Sequence, residues 1–403
     1  MNGPLSGVRV IDMTMNVMGP YAAQMLGDMG ADICKVEPPE GDTLRGIGPA
    51  RHKGMGPYFL HLNRNKRSLL LDLKRDGANA VLRRLLMQAD VLLYSFRPQA
   101  MARLGADYAT VAALNPRIIY CGAFGFGQRG PYADRPAYDD LIQAATGLPA
   151  LHASGGREPT YAATALADRC VGLMAASSVG MALYRRERTG RGQAIEVPMF
   201  ESMAQFIMGD HLYGRTFEPP LGQAGYVRMT DPNRRPYRTA DGYLGVLVYN
   251  DKHWQRFFRL IGRPDMATDP RYVTISGRTE HIGFLYGFLA ETFLTRTTAD
   301  WLAALKEADI PAMPMHTPDS LLEDPHMRAI DFFRVTEHPS EGTIRVMDIP
   351  QTWSESQPDI TRHAPRLGEH STELLGEYGF SSAEIAGLLA RAIVTQAAPA
   401  AAG

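Results

Sequence analysis

Through the first half of the chain, short apolar runs alternate with stretches of helical period. Gly7–Thr14 (GVRVIDMT) reads as a buried strand. Pro20 is placed to open a helix through YAAQMLGDMG that Gly30 closes, and Ala31–Glu37 is the next strand. This is a βαβ unit, which requires parallel strands and a right-handed crossover. Ser68–Leu73, Asp90–Phe96, Arg117–Phe124 and Ala194–Met199 continue the strand pattern; Tyr161–Ala165 is a further short run. Helical patterns fall at Ala78–Gln88 and from about Ala167 to Arg188, the latter ended by Thr189-Gly190-Arg191-Gly192. Alternation of this kind predicts an α/β doubly wound domain.

The pattern changes after about Phe217, where Pro219, Pro220, Pro232 and Pro236 cluster. Asp241 and Gly242, between YRTA and YLGVLVY, mark a hairpin turn. Asn250 or Asp251 caps the helix KHWQRFFRLI, which Gly262 stops, and helices follow near Glu280–Leu294 and Thr298–Ala308. Short strands resume from Ile344, and Ser381 with Glu384 fits a capping box. The expected division is a large domain over 1–200, a linker over 201–225 and a small α+β domain over 226–335. A return segment covers 336–394, with a frayed Ala-rich tail over 395–403.

Composition narrows the function. Lys plus Arg is 42 and Asp plus Glu is 43, a formal charge of −1, without the basic excess of a nucleic-acid protein. No run of about 18 apolar residues is evident, so no membrane span is expected. The N-terminus lacks the pattern of a secretory signal. Cys34, Cys121 and Cys170 are odd in number and far apart, which suits a reducing, cytoplasmic setting and offers no zinc spacing. No two of the 11 histidines share i, i+4 spacing, so no metal is expected.

Several segments carry candidate chemistry. Gly125-Phe126-Gly127-Gln128-Arg129-Gly130 has G-x-G-x-x-G form after a strand, but Pro131 and Pro136 deny it the helix a dinucleotide fingerprint needs. It reads as a glycine-rich turn. Arg64, Lys66 and Arg67 before a strand, with Lys74 after it, form either a solvated edge or a phosphate grip. Ser95-Phe96-Arg97 follows a strand's carboxyl end, where open α/β sheets bind ligands, and with Arg103 suits an adenine nucleotide. Asp168, near the start of the long helix, is either a cap or a carboxylate nucleophile kept ionised by the helix dipole.

Taken in order, these segments resemble the class III coenzyme A-transferases, the formyl-CoA and carnitine CoA-transferase (CaiB/BaiF) family. The resemblance runs from LSGVRVIDMT and GPYAAQMLGDMGADICKVEPPEGDTLR through NRNKRSLLLDLK, DVLLYSFRP and LNPRIIYCGAFGFGQRGPY. It continues through RPAYDDLIQAATG, ALAD and TGRGQAIEVPMFE to PRLGEHSTELLGEYGFSSAEI. It implies Asp168 as catalytic residue and coenzyme A, carried as acyl-CoA substrate, at Val17, Met18, Leu71 to Lys74, Ser95, Phe96, Arg103 and Leu104. It also implies an interlocked homodimer whose Rossmann-like large domains are built from both chain ends. Tyr138, Asp139 and Met199 are expected at the acid substrate. Some relatives have Asn in place of Ser95 and a basic residue in place of Pro136, and those contacts differ here. The glycine run of the formyl-CoA enzymes is missing between Glu218 and Tyr243, which makes oxalate a poorer acceptor.

The implied activity moves coenzyme A from an acyl-CoA to a carboxylic acid through an aspartyl intermediate. An α-methylacyl-CoA racemase of the same fold is a rival; those enzymes present a His immediately before Asp139, where this chain has Tyr138, a poor base near neutral pH. A non-catalytic CoA-binding protein is a second rival, opposed by the carboxylate at Asp168. A nicotinamide oxidoreductase is disfavoured by the missing helix start.

Overall fold

The structure, a computed structural model, describes residues 3–398. The chain divides into two units. The larger takes the described residues through Thr146, Ala162–Gln205, and those from His326 onward; the smaller takes Gly147–Tyr161 and Phe206–Pro325.

In chain order, β1 (Arg9–Met13), α1 (Met18–Asp28) and β2 (Asp32–Glu37) form a βαβ unit, followed by α2 (Pro57–Leu62) and β3 (Lys66–Leu71). Then come α3 (Ala78–Leu86), β4 (Val91–Tyr94), α4 (Pro98–Arg103), α5 (Tyr108–Leu114), β5 (Ile119–Phe124) and α6 (Asp139–Ala145). The short α7 (Leu148–His152) belongs to the smaller unit, after which the chain returns as α8 (Leu166–Thr189), β6 (Gln193–Pro198) and α9 (Met199–His211). The smaller unit continues with α10 (Val227–Thr230), β7 (Tyr237–Arg238), β8 (Tyr243–Val246), α11 (Asp251–Leu260), two longer helices at Ile282–Phe293 and Thr298–Glu307, and β9 (Ala312–Pro314). The hairpin β10 (Val335–His338) and β11 (Gly342–Arg345), helices at Ser371–Glu377 and Ser382–Ala390, and β12 (Val394–Thr395) complete the larger unit.

The main sheet has the order β12-β3-β2-β1-β4-β5-β6. All its pairs are parallel except β12 on β3. Without the edge strand this is the 3-2-1-4-5-6 order of the doubly wound fold, with its switch point between β1 and β4. One face is apolar: Ile11, Met13, Cys34, Val36, Leu69 and Leu71 pack with Val81, Leu82 and Leu85 of α3 and with Leu374 and Tyr378 near the end of the chain.

The opposite face is charged. Strand alternation places Asp12, Lys35, Glu37, Lys66 and Ser68 there, all essentially without exposure. Lys66 Nζ lies 2.9 Å from Asp12 and Lys35 Nζ 2.9 Å from Asp42. Lys66 also donates to the Pro20 carbonyl and Asn63 Oδ1, each at 2.9 Å. Burial pushes the Asp12 pKa up, but Lys66 and Lys35 outweigh it and hold the carboxyl below its ordinary value. Burial brings Lys66 down to about 8, with Asp12 opposing the shift.

These partners overturn both readings of the basic cluster. Arg64 is bound by Asp28 at 2.8 Å, and Arg67 by Asp32, Glu373 and Glu377 at 2.6–2.8 Å. Arg64, Lys66 and Arg67 are neither a solvated edge nor a phosphate grip, because carboxylates distant in sequence satisfy them. Lys74 alone of the four is exposed.

Other differences have local causes. α1 starts at Met18, two residues before Pro20, because the Tyr21 N–H closes its first turn on the Val17 carbonyl at 2.9 Å and Pro20 needs no donor there. The segment 201–225, expected as a linker, begins inside α9, where Met203 and Ile207 are buried. The smaller unit also takes in Gly147–Tyr161 and gives way to the larger at His326, ahead of the expected 335/336 boundary. Of the tail expected to fray, Thr395 pairs in β12, and the Ala397 N–H bonds the Gly368 carbonyl at 3.1 Å. Residues 399–403 lie outside the described residues. Finally, α8 is long and apolar enough in composition to cross a bilayer, contrary to the reading of the sequence. Its small residues Ala167, Gly172, Ala175, Ala176 and Ala182 are instead buried, and the helix packs on α1, β5 and β6.

Candidate active site

The chain turns sharply after β1, at the switch point. Thr14 donates to Asp12 through both its N–H (3.0 Å) and its hydroxyl (2.5 Å), while Lys35 donates to the Thr14 carbonyl at 2.9 Å. Asn16 takes a left-handed φ of 66°, and its Oδ1 accepts the Thr43 hydroxyl at 2.6 Å. Gly19 is needed next: a Cβ there would lie 2.3 Å from Thr14 Cβ. The buried charges therefore hold the loop that starts α1.

That loop delivers Met18 to α8. A Cβ at Gly172 would lie 2.8 Å from the Met18 carbonyl oxygen, so the two helices meet there with almost no spacing. The Met18 backbone lowers the pKa of the Asp168 carboxyl, which sits in the first turn of α8 without capping it. The Asp168 N–H in turn donates to Asp139 Oδ1 at 2.9 Å, and Gln143 Nε2 donates to Asp139 Oδ2 at 2.5 Å. Asp139 is the first residue of α6. Burial, then the negative charge of Asp139, raise the Asp168 pKa to about 7, against the Met18 amide and Arg169. Burial and the like charge of Asp139 thus oppose the ionised state that the sequence reading assigned to the helix start. Substituting Gly172 by Ala should drive Met18 away from Asp168. Reduced activity with a lowered Tm is the expected outcome, measured by turnover and thermal melting.

Outside the carboxyl ends of β4 and β5 lies a cavity of about 230 Å³, which Tyr138, the residue before Asp139, helps to line. Asn16, Ser95, Phe124, Pro136 and Tyr138 line it, together with Gln128, Arg97 and Arg135, and it has no carboxylate. Arg135 stacks on the Tyr132 ring at 4.0 Å. Gln128 and Arg135 escaped the reading of the sequence; Arg135 directly precedes Pro136, so the basic charge lacking at Pro136 stands one residue earlier.

The remaining candidates divide by burial. Leu73, Phe96 and Leu104 are half-buried against one core cluster, with Lys74, Arg103 and Ser95 exposed next to them in sequence. Leu71 ends β3 with its side chain wholly in the core, so only its backbone can meet a ligand. Val17, Met18 and Met199 are also buried, whereas Tyr138 is 65% exposed. The glycine-rich turn after β5 is filled from within: Gly127 N–H donates to Glu201 at 2.9 Å and Gln128 N–H to Glu196 at 2.7 Å. Those amides are not free for a pyrophosphate. Among the described residues, no group of three His, Cys, Asp or Glu gathers to hold a metal.

Comparison with known proteins decides the family. Residues 5–371 match CoA-transferase family III. The chain belongs to this family. It is 35% identical to the succinate–glutarate CoA-transferase of Agrobacterium fabrum, over 93% of this chain and 95% of that one. It is 30% identical to the succinyl-CoA–D-citramalate CoA-transferase of Chloroflexus aurantiacus, over 97% and 98%. A CaiB/BaiF family protein from Brucella suis superposes with a TM-score of 0.79 at 31% identity, covering 94% of this chain and all of that one. This CoA-transferase is therefore an enzyme that moves coenzyme A between an acyl thioester and a carboxylic acid. Its mixed α/β architecture with a large parallel sheet is that of CaiB/BaiF proteins.

Proposed function

We propose that Asp168 is the nucleophile of the transfer. The observation that carries this is its placement: half-buried in the first turn of α8, next to the switch-point loop that carries Met18 and with its N–H on Asp139. The Asp168 carboxylate attacks the acyl-CoA carbonyl and the CoA thiolate leaves, giving a mixed anhydride. The thiolate then attacks the aspartyl carbonyl, releasing the donor acid as its carboxylate and leaving CoA as an enzyme thioester. An incoming carboxylate attacks that thioester and expels the thiolate, forming a second anhydride. The thiolate closes the cycle on the acceptor's carbonyl and frees Asp168. The Met18 amide is the backbone donor available to an oxyanion on the aspartyl carbon.

Coenzyme A is assigned to the crevice at the switch point. Its adenine lies on Leu73, Phe96 and Leu104 near Lys74 and Arg103, and its chain passes Val17, Met18 and Ser95 toward Asp168. Tyr138, Asp139 and Met199 border the acid. The relatives' substrates, succinate, glutarate and D-citramalate, point to a small dicarboxylic acid here. We assign the enzyme to the cytoplasm, where three free cysteines are stable. We further assign it to an interlocked homodimer; Leu173, Met181 and Tyr184 leave an apolar strip of α8 exposed for a second copy.

The pH profile tests the nucleophile. Only ionised Asp168 attacks, so kcat/KM should fall about tenfold per pH unit below a limb near pH 7. Asp139→Asn keeps an oxygen for the Asp168 N–H but removes the like charge. Its limb should move to lower pH. A limb that stays in place in this variant would separate Asp168 from the rate.

A further inference from the structure

Asp139 is held by both oxygens of its carboxylate. Oδ1 accepts the Asp168 N–H at 2.9 Å, and Oδ2 accepts Gln143 Nε2 at 2.5 Å. Gln143 lies one turn further along α6, on the same face as Asp139, and has no exposure at all. Its own Oε1 accepts the Ala162 N–H at 2.9 Å. Ala162 is where the chain re-enters the larger unit ahead of α8. A backbone N–H can only donate, so it fixes the Gln143 amide with its oxygen toward Ala162 and its NH₂ toward Asp139. Turned over, the amide would set donor against donor and oxygen against carboxylate. Every link from Ala162 through Gln143 and Asp139 to Asp168 lies inside the larger unit.

Two like charges in one corner repel, and the partly exposed Asp139 would relieve this by turning to solvent. Among the described residues, Gln143 is the one side chain that donates to Asp139 and keeps it in place. Other ionisable groups at this corner are Arg169 and Cys170 of α8 and His61 of α2, which feels the charge of Arg169. On the elements packed against α8, Tyr21 of α1 lies under Arg169 at 4.6 Å, Cys121 of β5 is buried, and Glu196 of β6 is turned to the Gln128 N–H.

We propose that Gln143 is a positioning residue of the transfer: its amide, set by Ala162, clamps the Asp139 carboxylate to the start of α8 and so fixes the like charge that Asp168 faces. This rests on Asp168 as nucleophile and adds how its reactivity is set. Gln143 acts through Asp139, whose charge, after burial, is what raises the Asp168 pKa.

The test reads the acid limb of kcat/KM, with Tm alongside. Gln143→Met nearly keeps the volume but gives Asp139 no donor, so the carboxylate is free to turn away. Its limb should move about one pH unit down, toward that of Asp139→Asn, and its plateau should fall about tenfold as the Asp168 N–H loses its partner. Gln143→Glu keeps an acceptor for Ala162 but sets a second carboxylate against Asp139, and its limb should move up. In the Asp139→Asn background, Gln143→Met should leave the limb where that single variant has it, because no like charge remains to be placed. A limb unmoved in both Gln143 variants, whatever their Tm, would make Gln143 a mere tie between α6 and Ala162 and overturn the proposal. So would a limb that shifts equally in the Asp139→Asn background, since the effect would then bypass Asp139. The nucleophile reading fails separately, if Asp168→Asn still transfers coenzyme A.

Discussion

Asp168→Asn should lower CoA transfer by at least about 10³-fold while CoA affinity and fold are retained. The amide has no anionic oxygen to attack a thioester. Transfer between labelled acids, followed by mass spectrometry, measures the loss; hydroxylamine should trap an acyl or CoA adduct on wild type and none on the variant. Stability should move the other way. The folded pKa of Asp168 lies near 7, above its unfolded value of about 3.8, so folding disfavours the ionised form. That penalty is full above pH 7 and gone below about pH 4. The variant should therefore melt at or above the wild-type Tm at pH 8, with the difference closing as pH falls across that window. Turnover preserved in Asp168→Asn would remove the covalent route.

Lys66→Met should destabilise the larger unit by about 3–5 kcal/mol, read from the urea midpoint at pH 7. The cause is Asp12, fully buried, which keeps Lys35 but loses the ammonium 2.9 Å away. The Pro20 carbonyl and Asn63 Oδ1 lose their donor in the same change. Adding Asp12→Leu should restore part of the stability, because the orphaned charge is then gone. It should not restore activity, since Asp12 also holds Thr14 and the turn toward Met18. If the single variant unfolds at the wild-type midpoint, the charged face contributes nothing measurable.

Features written in neighbouring residues were legible. The Asp241–Gly242 hairpin, the Asn250 cap and the Ser381–Glu384 capping box rest on contacts within a few positions, and the β1–α1–β2 unit on pairings 23 residues apart across one helix. Asp168 was legible as a candidate, but its charge state was not. That depends on burial and on Asp139, 29 residues earlier, whose carboxylate reaches α8 only once α6 is folded. Arg64, Lys66 and Arg67 look like a ligand grip in one dimension because their partners lie at Asp12, Asp28, Asp32, Glu373 and Glu377. The proline cluster after Phe217 drew the linker too early, over a helix whose buried side is set by Met203 and Ile207.

The antiparallel edge strand β12 has a consequence for synthesis. Its partner β3 ends at Leu71, while Val394 is made more than 300 residues later. On the ribosome the main sheet must wait with an uncovered edge, and its apolar face without Leu374 and Tyr378, until Val394 has emerged. The smaller unit has all of its residues by Pro325 and can collapse first. The nascent chain is then exposed to mispairing along β3 until Val394 has emerged.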